Sequence, residues 1–256
     1  MTLAEESGLG VVREDYAFMR AFALFFADPG AKAHLLADLA VESAMQSGAE
    51  RTEMLAREIR AEMRLAAADL AGLRADIERL ADLLDRDPER RFASDLQVLR
   101  AALAWREGDV VEARAHLAPL VASARANPYN GPMVLGLAAL LASDAADRDA
   151  AIAAGGARVT SGALSHAILW FHRLVLECAL RVGVTKLARA QIRALRDYAG
   201  DESLGFCELL LETAELALKP ADRAEIDAQL ARLLEARLAD LGALLSIVRA
   251  GAAPGP

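Results

Sequence analysis

Aromatic residues make up only 5% of the 256-residue chain, and cysteine and tryptophan occur twice each. Cys178 and Cys207 each sit inside an apolar helical pattern, so they build neither a disulfide framework nor a zinc site and read as buried free thiols. β-Branched residues are scarce, while alanine and leucine dominate a 55% hydrophobic composition. That balance favours helix throughout and leaves essentially no sheet to expect. Long apolar runs are missing too: Met133 to Ala142, the longest, is too short to cross a bilayer. The first residues, Met1-Thr2-Leu3-Ala4-Glu5-Glu6, are acidic where a secretory signal would be basic, so a soluble, cytoplasmic chain is expected. A net charge of −8 argues against nucleic acid or an anionic membrane as partner.

Catalytic signatures are equally absent. No G-x-x-x-x-G-K-[ST], H-E-x-x-H or G-x-S-x-G occurs in the sequence. His34, His116, His166 and His172 are scattered, and the last two, six apart, fall on different helix faces. Cys178, His172 and Glu177 lie so close on one helix that they point apart, which removes them as nucleophile, base and orienting group. Glu208 and Glu212, four apart, read as a solvated face. No enzyme, cofactor or metal is expected.

What the sequence does contain is a succession of helical hairpins, clearest between Asp95 and Pro128. Leu96, Leu99 and Leu103 form one buried stripe, and Gly108-Asp109 turns the chain. Ala113, Leu117 and Leu120 then line a returning helix. Glycine takes the left-handed conformation that stops the first helix, and Asp109 caps the second. Gly183 followed by Ala188 repeats the spacing, after a stripe of Ile168, Phe171, Val175, Cys178 and Val182. Taking Ala75, Ala113, Ala150, Ala188 and Ala224 as markers gives a period of 36 to 38 residues. Further helices are expected over Val11–Ala27, Ala31–Gln46, Arg51–Ala68, Leu70–Asp85, Met133–Ala142 and Ala145–Ala154. Gly155-Gly156 is expected to end the last of these, and 155–162 to act as a hinge. Glu202–Leu218 and one long helix from Ala221 to Arg249 complete the series, with a disordered tail over 251–256. One domain over 1–256 follows: all-α, a right-handed α-solenoid of about six hairpins.

Gly108-Asp109-Val110-Val111-Glu112-Ala113 resembles a tetratricopeptide turn, and Leu137-Ala138 with Leu141 is similar to the first-helix core of such a repeat. Ser165-His166 with Leu169-Trp170-Phe171, then Ala188 and Tyr198, resembles the C-terminal repeat region of bacterial signalling proteins that carry a nucleotide-cyclase or regulatory-ATPase module. The resemblance implies a non-enzymatic module that binds a protein or peptide in a concave groove. It places Trp105, Arg106, Trp170, Arg173, Glu177 and Arg181 towards that groove, the last four on one helix face at i, i+3, i+7 and i+11. Arg57, Arg60 and Arg64 either extend a basic groove or form a solvated face, with Glu53 pairing Arg57. Two alternatives stand beside this: a ligand-sensing regulatory domain, and a homo-oligomer assembled through the Phe-rich first or Leu-rich last helix.

Overall fold

The computed structural model describes residues 10–90, 92–163, 165–200, 204–219 and 221–251. The expected tail beyond residue 251 and the acidic start lie outside the described residues. Among those described the chain is all helix, with no strand. In order the helices are α1 (Gly10–Ala27), α2 (Ala31–Ser47), α3 (Glu50–Ala66), α4 (Leu70–Leu84), α5 (Ala93–Glu107), α6 (Val110–Ala124) and α7 (Gly131–Leu141). There follow α8 (Ala145–Thr160), α9 (Ser165–Arg181), α10 (Thr185–Ala199), α11 (Gly205–Leu218) and α12 (Arg223–Glu235). A 3-10 turn (Ala239–Leu241) then leads into α13 (Gly242–Gly251).

The turns share one chemistry, more widely than glycine reveals. At Gly108 (φ 87°) the Asp109 N–H reaches back to the Ala104 carbonyl at 2.9 Å, and the Asp109 carboxylate accepts from the Glu112 N–H at 2.9 Å. Gly48 and Gly183 repeat the left-handed turn with the same six-residue reach, Ala49 to Ala44 and Val184 to Ala179. Ala68 (φ 59°) and Arg237 (φ 54°) do so without glycine, Asp69 reaching Arg64 and Leu238 reaching Leu233. The residue five positions after each turn is buried: Glu53, Leu73, Ala113, Ala188 and Gly242. Of the five alanine markers only Ala113 and Ala188 are buried; Ala75, Ala150 and Ala224 are exposed. These left-handed helix stops, rather than the alanine spacing, are what the five turns have in common.

The first helices of successive hairpins, α1, α3, α5, α7, α9 and α11, contact one another in order. The circuit closes where Phe25 and Phe26 of α1 meet Phe206 of α11, each with ring centroids 5.5 Å apart. The aromatic first helix thus packs inward. Helix α7 is buried at every position except Ala138, and its Gly136 brings the backbone close to Leu174 and Phe171 of α9.

Two expected boundaries differ. Helix α8 runs through Gly155-Gly156 to Thr160 and ends at Gly162 (φ 100°). Gly155 is needed there because the Phe171 ring occupies the space a side chain would take. Most of the segment read as a hinge is therefore helix. At the other end the single long helix breaks: α12 opens on an Asp222–Glu225 capping box, and Arg237 reverses the chain. Leu238, Leu241, Leu244 and Leu245 are all buried by this fold-back, which is why that stretch is apolar on more than one side.

Candidate functional site

The six residues expected at a groove converge, but mostly inside the protein and around Glu177, with a seventh, Asp240, joining them. Glu177 accepts hydrogen bonds from Arg106 at 2.8 and 3.0 Å, from Arg173 at 2.9 Å and from Arg181 at 2.9 and 3.1 Å. Asp240, from the C-terminal 3-10 turn, pairs with Arg106 at 2.7 Å and also with Arg173. The guanidinium of Arg181 lies 4.8 Å from the Trp105 ring centroid, and that of Arg173 5.8 Å from Trp170. Burial alone would raise the Glu177 carboxyl; Arg173 and Arg106, with Arg181, outweigh it and hold Glu177 far below the usual carboxylate range. The side chains of Arg173 and Glu177 have no exposed surface, and Trp170 is buried. Helical periodicity correctly groups these residues on one face, and that face points into the core. Only Arg181 reaches well into solvent.

A second basic triplet behaves alike. Arg57, Arg60 and Arg64 all bind Asp76, a fully buried carboxylate, at 2.9, 2.6 and 2.7 Å. Glu53 takes the expected pair from Arg57 at 2.8 Å and another from Arg79 at 2.9 Å. The triplet is neither a basic groove nor a solvated face: it ties α3 to α4. Cys178 directs its thiol to the Ala139 carbonyl at 3.4 Å, while His172 pairs with Gln191 at 2.6 Å. Burial pushes both thiols up, Cys207 to about 11.

A cavity of about 590 Å³ lies elsewhere, between α1, α3, α5, α7 and α9. Helix α3 builds one wall: Leu55, Glu58, Ile59 and Glu62 follow i, i+3, i+4 and i+7, so two carboxyls stand within an apolar stripe. Phe18, Met19 and Phe22 of α1 face it, together with Val98, Leu99 and Met133. Asp95, in the first turn of α5, is held by the Asn130 side-chain amide at 2.6 Å. Asn130 in turn accepts from the Asn127 amide at 2.8 Å, and exposed Tyr129 belongs to the same lining loop. His166, from the first turn of α9, sits edge-on to Phe22 at 5.2 Å between ring centroids.

All three acids are shifted upward from their ordinary range. Glu62 is pushed up to about 7, first by burial and further by the charge of Asp95; the Trp170 indole N–H, 3.1 Å from its Oε2, partly opposes this. Burial, then Asp95 and Glu62, drives Glu58 well above the carboxylate range, although its side chain still opens onto the cavity. Asp95 is raised by burial against the pull of Asn130. Burial lowers His166, with Asp95 acting the other way. No lysine or arginine is among the described residues lining this space. Nor do any three His, Cys, Asp or Glu among them group as a metal site. Apolar walls with a few convergent, strongly perturbed polar groups are the usual mark of a small-molecule site.

None of these acids stood out in the sequence. The available signal was Glu58 and Glu62 falling in register with Leu55 and Ile59. Compared with known proteins, the chain matches no family model, no curated protein and no solved structure. No helix among the described residues is long and apolar enough to cross a membrane.

Proposed function

We propose that the chain is a non-enzymatic, ligand-sensing module built on a solenoid of tetratricopeptide-like hairpins, and that it binds a small molecule in the cavity between α1, α3, α5, α7 and α9. The observation that carries this reading is the composition of the cavity: about 590 Å³, apolar on most sides, with Glu58, Glu62, Asp95 and His166 turned into it. That volume suits a drug-sized ligand. Because five helices from different hairpins meet there, a ligand touching all of them biases how the hairpins sit together, which is how a sensor passes on its state. The setting expected from the resemblance is a cytoplasmic regulatory assembly in which a protein partner reads the liganded form. Arg173, Glu177 and Trp170 are buried, so of the six residues first placed at a groove these three are not offered to that partner.

The test is a thermal-shift screen of small amphipathic compounds on the full chain and on Leu55→Trp, which fills the cavity from its α3 wall. The reading expects compounds that raise the melting temperature of the wild type and lose that effect in the variant. Stabilisation that survives Leu55→Trp unchanged contradicts it.

A further inference from the structure

The cavity brings three carboxyl groups together, with no lysine or arginine among the described residues that line it. Among the described residues, the ionisable groups that line it are Glu58 and Glu62 on α3, Asp95 on α5, His166 on α9 and Tyr129 in the loop before α7; α1 and α7 contribute Phe18, Met19, Phe22 and Met133. An anionic ligand would meet three acids and no described lysine or arginine. Once the carboxyls ionise they repel one another, and a neutral ligand leaves that repulsion in place. A cation relieves it, and the aromatic wall adds to the attraction, because the faces of Phe18, Phe22, Phe92 and Tyr129 carry negative quadrupole density that favours organic ammonium groups. The apolar remainder of the wall has then to be covered by hydrocarbon.

We infer that the cavity takes an organic cation with an apolar body, an alkyl or aryl ammonium compound, its charged group seated among Glu58, Glu62 and Asp95. This rests on the cavity being the binding site and adds the chemical class of its ligand. Uptake is coupled to protons: Glu62, raised to about 7, is partly protonated near neutrality, Glu58 and Asp95 are shifted the same way, and a cation binds best once the carboxyls ionise, so a proton leaves as the ligand enters. Affinity therefore rises with pH. An aliphatic ammonium keeps its own charge throughout this range, since its pKa lies near ~10.4 as for lysine.

The experiment is calorimetric titration of the full chain with n-octylammonium, 1-octanol and octanoate, three probes alike in shape and different in charge, at pH 5 and pH 8. The inference expects octylammonium to bind at least about tenfold more tightly than octanol at pH 8, with octanoate weakest. It expects affinity for the amine to fall by up to about tenfold per pH unit below the carboxyl pKa values. Glu62→Gln and Asp95→Asn should each weaken the amine about tenfold or more and leave octanol unaffected. The pH series on the unaltered chain needs neither variant to fold. Octanol or octanoate binding as tightly as the amine overturns the cation and leaves the cavity as the site. If none of the three binds, the inference and the cavity reading fall together.

Discussion

The indole N–H of Trp170 donates to Glu62 Oε2 at 3.1 Å while the guanidinium of Arg173 lies 5.8 Å from the same ring. One side chain thus links an acid of the cavity wall to the buried ion cluster. Trp170→Phe keeps the ring and removes the donor that favours the Glu62 carboxylate. Glu62 should then titrate above about 7, followed by carboxyl carbon NMR, at a cost of about 1–2 kcal/mol in stability. An unchanged titration would show that the hydrogen bond does not govern Glu62.

Asp240 is the residue on which the cluster depends for its second carboxylate. It lies 134 positions from Arg106, too far along the chain for any pattern to pair them. Asp240→Ala leaves Arg106 and Arg173 buried with Glu177 alone, and urea unfolding should show a loss of about 3–5 kcal/mol. Removing Arg181 by Arg181→Ala should cost far less, about 0–1 kcal/mol, because its side chain is 42% exposed.

The pH dependence of stability separates into opposing parts. Glu62 has a folded pKa of about 7 against an ordinary 4.5, so between those values the folded chain holds a proton that the unfolded chain has lost. Its contribution is therefore full at low pH and declines as pH rises through about 7. His34, lowered to about 4 mainly by burial, acts oppositely: the unfolded chain binds the extra proton between about 4 and 6.5, and stability rises with pH there. Comparing wild type with Glu62→Gln cancels the histidine part. The wild type should lose about 2–3 kcal/mol relative to the variant between pH 4.5 and pH 8. Parallel curves would refute a raised Glu62.

Gly155 and Gly156 are neighbours with opposite predicted responses. A methyl at Gly155 meets the Phe171 ring, so Gly155→Ala should destabilise by about 1–3 kcal/mol. A methyl at Gly156 meets nothing within 4 Å, and Gly156→Ala should stabilise the helix by about 0.5–1 kcal/mol. If both variants were stabilised or both indifferent, the Gly155–Phe171 contact would be wrong.

Glycine pairs end helices only where nothing else requires a missing side chain, and here a ring on the next hairpin requires it. That is the general limit on what this sequence discloses. Helix stripes and the turns at Gly108 and Gly183 are local, and they are read directly. The turns at Ala68 and Arg237 adopt the same left-handed geometry with residues that rarely take it, so composition hides them. The α9 stripe from Trp170 to Arg181 is likewise legible as a face; its direction is not, because it depends on Arg106 and Asp240 arriving from distant hairpins. The cavity was the least visible part. Glu58 and Glu62 on α3 are neighbours by periodicity, but Asp95, His166 and Phe22 reach them only through the closing of the helix circuit.

If a cationic amphiphile occupies the cavity, the methionines report it site by site. Met19 and Met133 line the cavity, whereas Met45 is exposed on α2 and Met63 is buried outside the lining. The measurement is a methyl NMR titration of 13C-methionine-labelled protein with n-octylammonium at pH 8. Saturable shifts are expected at Met19 and Met133, with Met45 and Met63 still. Shifts at Met45 while Met19 and Met133 stay fixed would contradict it.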